Sequence, residues 1–408
     1  MKHRPKNRHR REGRARRAVY GACALALLAV QAAPPAFAGA AEQARRIYER
    51  LDGVPPSASV LSQMTSVIQA GNSSQSSLVA AAVIATTPAT GADFYDVTLK
   101  EFINPWTNRN QSAFVPFNDY TATVIGMIRD SIPFNTVLSA NILYTVNAPP
   151  GVSLPPPSPA NNDHYATAEA DGVDFSTALT QTTQTAVYGT PSQGVSGVWT
   201  TRAGAAAYFV LGTNRAQFRF TMLNYLCHDM QTVMDNTRPT DRIRQDVARS
   251  PGGDSRVFLN NCAGCHSGMD PMAQAFAYYD FSTTTNQLVY TPGQVQPKYL
   301  KNPLDFIWGF VTPDDTWSNR WRSGPNADLG WGPGTGSGEG AASLGVELEN
   351  TEAFANCQVV KVFQTVCLRA PTSTADQATV SSIEAIFKQT NYDLKQVFQQ
   401  SAAACAGS

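Results

Sequence analysis

The sequence predicts a mainly α-helical protein that also contains a long irregular segment rich in glycine and tryptophan. Apolar residues recur with the spacing of one helix face in most windows, whereas the alternation typical of strands is rare. Apolar residues make up 43% of the 408 residues and charged residues only 15%, which suits a buried core and argues against global disorder. At this length we expect two or three domains.

The N-terminus has the features of a secretory signal. Nine Lys or Arg residues occur within residues 1–17, an apolar run covers 19–33, and the Ala-Phe-Ala sequence at 36–38 matches a signal cleavage site. We therefore expect residues 1–38 to be a signal peptide, cut before Gly39, with an uncleaved anchor as the alternative. No other segment is long and apolar enough to cross a bilayer. The mature chain is expected in the periplasm, at the cell surface or outside the cell, without a membrane span.

Charge is distributed unevenly along the chain. The formal net charge is zero, but residues 39–408 carry 22 basic and 30 acidic side chains, a net of −8. An acidic body argues against nucleic acid as a partner and suits a soluble, self-repelling protein.

The first part of the mature chain is predicted to be a series of helices. Residues 41–51 have helical periodicity, which Gly53 and the prolines after it bring to an end. Residues 57–70 carry one apolar stripe, as expected of a helix packed on a core. A proline-rich stretch at 149–159 then predicts a surface excursion or linker. The predicted helices before this stretch are 41–51, 57–70, 78–86, 94–103, 119–130 and 135–143.

The remainder of the chain alternates loops with helices. Residues 160–200 are rich in Thr, Ser, Gly and Asn and are predicted to be mostly loop. The longest helical pattern covers 214–233, and Pro239 interrupts it before a shorter helix over 241–249. Residues 281–350 have few helix signals and hold four of the six tryptophans; such irregular segments usually have a function or cover a site. The last predicted helices are 352–368, 375–389 and 392–403.

Residues 262–266 are Cys-Ala-Gly-Cys-His, the attachment sequence for a c-type haem. Each thiol adds to one vinyl group of the porphyrin, and the two-residue gap sets the sulfurs at the separation of those vinyls. His266 is thereby carried under the iron as the proximal ligand. The sequence therefore predicts haem c bound through Cys262, Cys265 and His266. A zinc site would need a second Cys/His pair, and a thioredoxin-like redox pair would need a βαβ context; the sequence has neither.

The distal iron ligand is less well defined by the sequence. Met269 and Met272 are too close to His266 in sequence to reach the opposite haem face. His164 is the first candidate and His228 the second, since haem iron favours imidazole and sulfur donors. Either histidine could instead be a solvated or hydrogen-bonded residue. The remaining sulfur candidates, each of which could equally pack a core, are Met64, Met127, Met222, Met230 and Met234.

Two further expectations concern the flanks of the motif and the other cysteines. Asp270 and Pro271 are expected to end the haem-binding turn and to start a helix over 272–279, with Pro271 at its first position. Four more cysteines of the mature chain could form two disulfides in an oxidising compartment, and the sequence does not choose among three pairings. Cys227 could equally be a buried free thiol. These four cysteines are Cys227, Cys357, Cys367 and Cys405.

The motif and its flanks resemble the planctomycete-type cytochrome c family, in which one haem domain adjoins several domains of unknown function. The resemblance lies in CAGCHSGMDP at 262–271 and FAYYDF at 276–281. Weaker similarity covers 163–165, 200–204, 219–227, 345–357 and 392–401. The chain departs from the family in lacking Leu-Gly-Phe after Pro271 and in its segment 306–340. The resemblance implies a periplasmic or cell-surface haem protein and supplies no established reaction.

Together these observations predict a multi-helix, cytochrome c-like haem domain flanked by helical domains. The predicted divisions are 1–38 (signal peptide), 39–150 (N-terminal helical domain), 151–290 (haem domain), 291–350 (irregular Gly/Trp-rich segment) and 351–408 (C-terminal helical domain).

The leading functional hypothesis is an exported monohaem cytochrome that exchanges electrons with a redox partner protein of the cell envelope. No nucleophile elbow, zinc signature, phosphate-binding loop or dinucleotide fingerprint occurs in the sequence. One alternative is a haem enzyme, peroxidase- or oxidase-like, with an open distal iron site. Another is a haem-bearing binding module of the envelope that uses its Trp-rich segment for recognition.

Overall fold

Helices dominate the computed structural model, which describes residues 39–299 and 306–407 and confirms the mainly α fold class. The predicted signal peptide lies outside the described residues. The helices are α1 (Ala40–Asp52), α2 (Ala58–Ala70), α3 (Gln75–Ala85), a π-helical segment (Phe94–Leu99), α4 (Lys100–Ile103), α5 (Asp119–Arg129), α6 (Asp163–Ala170), α7 (Phe175–Ala178), α8 (Gln184–Tyr188), α9 (Arg202–Tyr208), α10 (Arg215–Tyr225), α11 (Ser255–Asn261), α12 (Ala263–Ala273), α13 (Gly340–Glu349), α14 (Glu352–Cys367), α15 (Thr374–Gln389) and α16 (Leu394–Ala404).

The strands are short and form two-stranded antiparallel ladders. They are β1 (Leu143–Val146) with β2 (Leu179–Thr182), β3 (Tyr279–Ser282) with β4 (Gln287–Tyr290), and β5 (Thr316–Ser318) with β6 (Ser337–Glu339).

The two ends of the described chain pack together. The apolar stripe of α2 faces the core through Val60, Met64 and Ile68, all of them buried. α16 packs on α3 and on α14. One apolar core has members along the chain from Ala44 to Ala406. Residues 40–406 form a single compact unit. The segments 39–150, 151–290 and 351–408 therefore contribute to one core.

Capping side chains define where several helices begin. The Ser57 hydroxyl accepts the N–H of Val60 at the start of α2, and Thr351 does the same for Phe354 at the start of α14. An oxygen at this position satisfies one of the N–H groups that a helix leaves without an internal partner. Similar bonds from Ser74, Asn118 and Ser373 start α3, α5 and α15.

Two disulfides resolve the pairing that the sequence left open. Cys227 bonds to Cys357 on α14, and Cys367 bonds to Cys405. Cys227 is therefore not a free thiol. Because Cys227 lies just after α10, the first disulfide ties the end of that helix to the C-terminal helices.

Some of the predicted helices are wrong. Residues 135–143 form a short 3₁₀ turn and a loop before β1. The helix predicted over 214–233 ends at Tyr225, and Cys227 adopts a positive φ of 58° that a helix does not contain. Residues 241–249 form turns, because the Ile243 carbonyl accepts from the Arg249 guanidinium and from the N–H of Phe310 instead of closing a helix.

The prediction that Asp270 and Pro271 end the haem-binding turn and start a new helix is also wrong. α12 continues through both residues to Ala273, and a 3₁₀ turn over Gln274–Phe276 follows in place of the helix predicted over 272–279. Pro271 lacks an N–H, but it lies so near the C-terminal end of α12 that the helix loses little by it. As a consequence, Asp270 lies on the same helix as His266 and one turn after it.

The irregular segment contains α13, which the sequence did not predict, and it supplies tryptophans to the core. Trp317 and Trp321 are buried and Trp331 is partly buried, whereas Trp308 is 82% exposed. For the binding-module alternative, Trp308 is therefore the one largely exposed tryptophan in the described part of this segment. Within residues 39–299 and 306–407, no helix has both the length and the hydropathy to cross a bilayer.

Candidate haem-attachment site

The motif residues lie at the junction of two helices. α11 ends at Asn261, and Cys262 is both its C-terminal cap and the N-terminal cap of α12. The N–H of His266 donates to the carbonyl of Cys262 at 3.0 Å, which closes the first turn of α12. Because residues three and four apart share a helix face, Cys262, Cys265 and His266 lie on the same side of this turn.

Both motif thiols are free, while the other four cysteines of the described chain form disulfides. Cys262 and Cys265 are each partly exposed. The Sγ of Cys265 lies 3.3 Å from the carbonyl oxygen of Met230. Burial, together with the nearby Cys262, raises the pKa of Cys265. Two accessible, unoxidised thiols one turn apart are the arrangement that attachment to two vinyl groups requires.

His266 is oriented by a buried carboxylate. Its Nδ1 lies 3.1 Å from Oδ1 of Asp270, whose side chain is completely buried. A carboxylate accepts hydrogen bonds, so this contact assigns the proton of the neutral ring to Nδ1 and leaves a lone pair on Nε2. The Nε2 atom makes no hydrogen bond with the described residues. Histidines that bind metals generally donate their other ring N–H to a carboxylate or carbonyl in this way.

Two arginines compensate the buried charge of Asp270. The Nε and Nη2 of Arg215 donate to its two oxygens at 2.7 and 3.0 Å, and the backbone N–H of Arg244 donates to Oδ2 at 3.3 Å. Burial alone would raise the pKa of Asp270, but Arg215 and Arg244 outweigh it and hold that pKa well below its ordinary value. Arg215 also pairs with both oxygens of Asp246, at 2.7 and 2.8 Å. Asp270 is therefore an anion that faces His266 from a fixed position.

The surroundings of the thiols are apolar. Ile243, Val247, Phe258 and Ala263 form a small buried cluster on which Cys262 packs. Leu259, one helical turn before Cys262, is 55% exposed. A flat apolar group attached to the thiols would find an apolar side chain to cover at this position.

Two glycines allow the chain to pack closely on the motif helix. The N–H of Asp235 donates to the carbonyl of Gly264, and the hydroxyl of Ser267 donates to the carbonyl of Asp235, at 3.1 and 3.2 Å. On the next turn, a Cβ at Gly268 would lie only 1.9 Å from Nε1 of Trp321. The irregular segment thus packs directly on α12 through Trp321.

The structure does not direct His164 toward an iron. Its Nδ1 lies 2.7 Å from the carbonyl of Pro155 and so carries the proton, and its Nε2 accepts the N–H of Val146 at 3.0 Å. Burial lowers the pKa of His164, which favours this neutral form. Distal ligation by His164 would require the bond with Val146 to break.

The other candidates for a distal ligand fall into two groups. His228 is partly exposed, with Nδ1 3.3 Å from the Thr232 hydroxyl. His228, Met230 and Met234 belong to one segment that contacts α12. In this segment the Met230 carbonyl lies close to Sγ of Cys265, and the Asp235 N–H donates to the Gly264 carbonyl. The remaining methionines are completely buried in the main core; they are Met64, Met127 and Met222.

Sequence analysis missed the network behind His266. Asp270 was predicted to end the haem-binding turn before a new helix, although its spacing of four residues from His266 is the spacing of facing residues on a helix. This spacing of four residues is the sequence feature from which the contact between His266 and Asp270 could have been predicted. Arg215, Arg244 and Asp246 come from distant parts of the chain, and no local pattern connects them to the motif.

Comparisons with protein families, with curated proteins and with solved structures found no match for this chain. In the described ranges, no cluster of three or more His, Cys, Asp or Glu side chains is placed to hold a metal ion. A haem iron needs fewer ligands from the protein, because the porphyrin supplies four of them. The residues at the motif fit such a group: two free thiols, an imidazole with an oriented lone pair, and an exposed leucine beside them.

Proposed function

We propose that this chain is an exported monohaem c-type cytochrome that transfers electrons. One haem is attached through Cys262 and Cys265, with His266 as the proximal iron ligand, and a protein of the cell envelope is the redox partner. The observation that carries the proposal is the first turn of α12. It combines two free thiols with an imidazole whose Nδ1 faces the buried Asp270 carboxylate at 3.1 Å.

The chain's residues have separate roles in this proposal. Each Sγ–H of Cys262 and Cys265 adds across one vinyl group, so that a thioether forms and the proton stays on the product. His266 offers its Nε2 lone pair, and Asp270 holds the ring by its Nδ1–H. A carboxylate partner of this kind raises the basicity of the imidazole. The haem, once bound, supplies a one-electron couple whose potential the axial ligand and its hydrogen bonds adjust.

Two further features support export and an electron-transfer role. Disulfides such as Cys227–Cys357 and Cys367–Cys405 persist in oxidising compartments, where c-type haem is also attached in bacteria. The acidic net charge of residues 39–408 suits a soluble protein that meets its partner by diffusion.

Reduced and oxidised absorption spectra of the purified holoprotein test this proposal. We expect a reversible one-electron change with the sharp reduced bands of a c-type haem and little response to carbon monoxide. His266→Ala should disturb both spectra, whereas the matched change His228→Ala should leave the proximal signature intact. A holoprotein that cannot be reduced and reoxidised would contradict an electron-transfer role.

One observation favours the haem-enzyme alternative. Both ring nitrogens of His164, the first candidate for the distal position, are engaged in hydrogen bonds with other groups. If no side chain takes that position, the iron is open to a small molecule. Rapid binding of carbon monoxide to the reduced protein, or turnover of peroxide with a reducing substrate, would support this alternative over pure electron transfer.

A further inference from the structure

A cavity of about 520 Å³ opens beside α9, and no motif residue lines it. Its volume falls within the range of about 300–1,000 Å³ that is usual for small-molecule sites. α9 has the sequence Arg-Ala-Gly-Ala-Ala-Ala-Tyr, and its short side chains leave room above the helix. Ala203 and Ala206 line one side, and Val115 and Pro116 belong to the rest of the apolar lining.

The two charged residues that line this cavity are both cationic, and its neutral polar residues are Thr107, Asn108, Asn118 and Asn162. Arg202 lines it, and the guanidinium of this residue makes no hydrogen bond or ion pair with the described residues. Arg109 also lines it and is held in place, since its Nε and Nη2 donate to the carbonyls of Ala207 and Val210 at 2.6 and 2.9 Å. The lining includes no Asp or Glu side chain.

The acid that contacts the backbone of Arg202 makes no ion pair with the Arg202 side chain, because it accepts hydrogen bonds from other donors. Asp119 accepts the backbone N–H groups of Arg202 and Ala203, at 2.5 and 3.0 Å, and the hydroxyl of Tyr188 at 3.0 Å. It therefore serves the start of α9 and leaves the Arg202 side chain without an anionic partner.

We propose that this cavity binds a small organic carboxylate. The planar guanidinium of Arg202 presents two parallel N–H groups, the geometry that a carboxylate accepts. The apolar body of the ligand lies on the alanine side of the cavity, against Ala203 and Ala206. This site is independent of haem binding and does not rest on the function proposed above.

Isothermal titration of the mature full chain with 2-naphthoate, with the neutral 2-naphthamide as the comparison ligand, tests the proposal. We expect naphthoate to bind and the amide to bind at least about tenfold more weakly, since a hydrogen bond to a charged group contributes a tenfold difference or more. Arg202→Gln should weaken naphthoate binding by a similar factor. Arg45→Gln, an exposed position on α1, should leave it unchanged.

A second variant, Ala206→Trp, fills the apolar side without changing the charge and should abolish binding. Thermal unfolding of each variant confirms that it is folded. The proposal fails if the wild-type protein does not bind naphthoate at millimolar concentration. It also fails if the amide binds as well as the acid, or if the folded Arg202→Gln and Ala206→Trp proteins bind like wild type.

Discussion

The hydrogen bond between His266 and Asp270 leads to a quantitative prediction for the proposed haem protein. Replacing Asp270 by Asn keeps the size and one acceptor oxygen but removes the negative charge 3.1 Å from Nδ1. Since a carboxylate partner makes the imidazole a stronger donor, it favours the more highly charged, oxidised iron. The variant should therefore have a higher reduction potential.

The size of this change follows from the strength of the hydrogen bond. A bond to a charged acceptor contributes about 1.5–3 kcal/mol, against about 1 kcal/mol for a neutral pair. If the two oxidation states differ by about 1.4 kcal/mol in their preference for the charged acceptor, the potential rises by about 60 mV. The variant should also lose about 3–5 kcal/mol of unfolding free energy, since Arg215 and Arg244 lose a buried partner. Arg215 keeps its two bonds to Asp246.

Spectroelectrochemical titration of the holoprotein measures the potential, and urea unfolding measures the stability. Asp246→Asn is the matched control: it weakens the same network but does not contact His266, so it should lower stability and leave the potential nearly unchanged. Equal potentials in the wild-type and Asp270→Asn holoproteins would refute this account of His266. A wild-type protein without haem would instead refute the proposed function.

Three more predictions concern the fold. Replacing Cys227 and Cys357 together by Ser opens a link across 130 residues and should lower the unfolding free energy by about 5 kcal/mol in urea; an unchanged midpoint would count against it. Gly268→Ala places a Cβ 1.9 Å from Nε1 of Trp321 and should cost about 2 kcal/mol or more and alter tryptophan fluorescence, whereas wild-type behaviour in both would show that α12 and Trp321 are not in contact. Burial raises the pKa of Glu349 from 4.5 to about 8, so the folded state holds this proton more tightly than the unfolded chain does, and stability should fall as the pH rises from 4.5 to about 8. Glu349→Gln should reduce that fall, and an identical pH profile in both proteins would show that Glu349 is not responsible.

The sequence predicted those helices that local pattern alone specifies. The helix predicted over 57–70 is observed as α2, and the helix predicted over 375–389 as α15, because an apolar stripe and a capping serine define each of them. The helix predicted over 214–233 failed because its pattern continues past Tyr225, while the disulfide of Cys227 fixes a turn there. A disulfide pairing is a property of the fold and leaves no trace in local periodicity.

The candidate site also contains some residues that the sequence predicted and others that it did not. Cys262, Cys265 and His266 were predicted together because the chemistry of attachment depends on adjacent residues. Asp270 was predicted to end the haem-binding turn because a proline follows it, and only the continuous helix places its carboxylate against His266. The arginines that neutralise it are far away in sequence, so they could not be predicted.

The mass of the mature protein under denaturing conditions tests the central claim most directly. The full chain is expressed with a haem-maturation system, and the wild type is compared with the Cys262→Ser/Cys265→Ser variant. We predict that the wild type retains the added mass of one haem after unfolding and that the variant has the mass of the polypeptide alone. A wild-type protein that unfolds to the bare polypeptide mass would contradict covalent attachment at this motif.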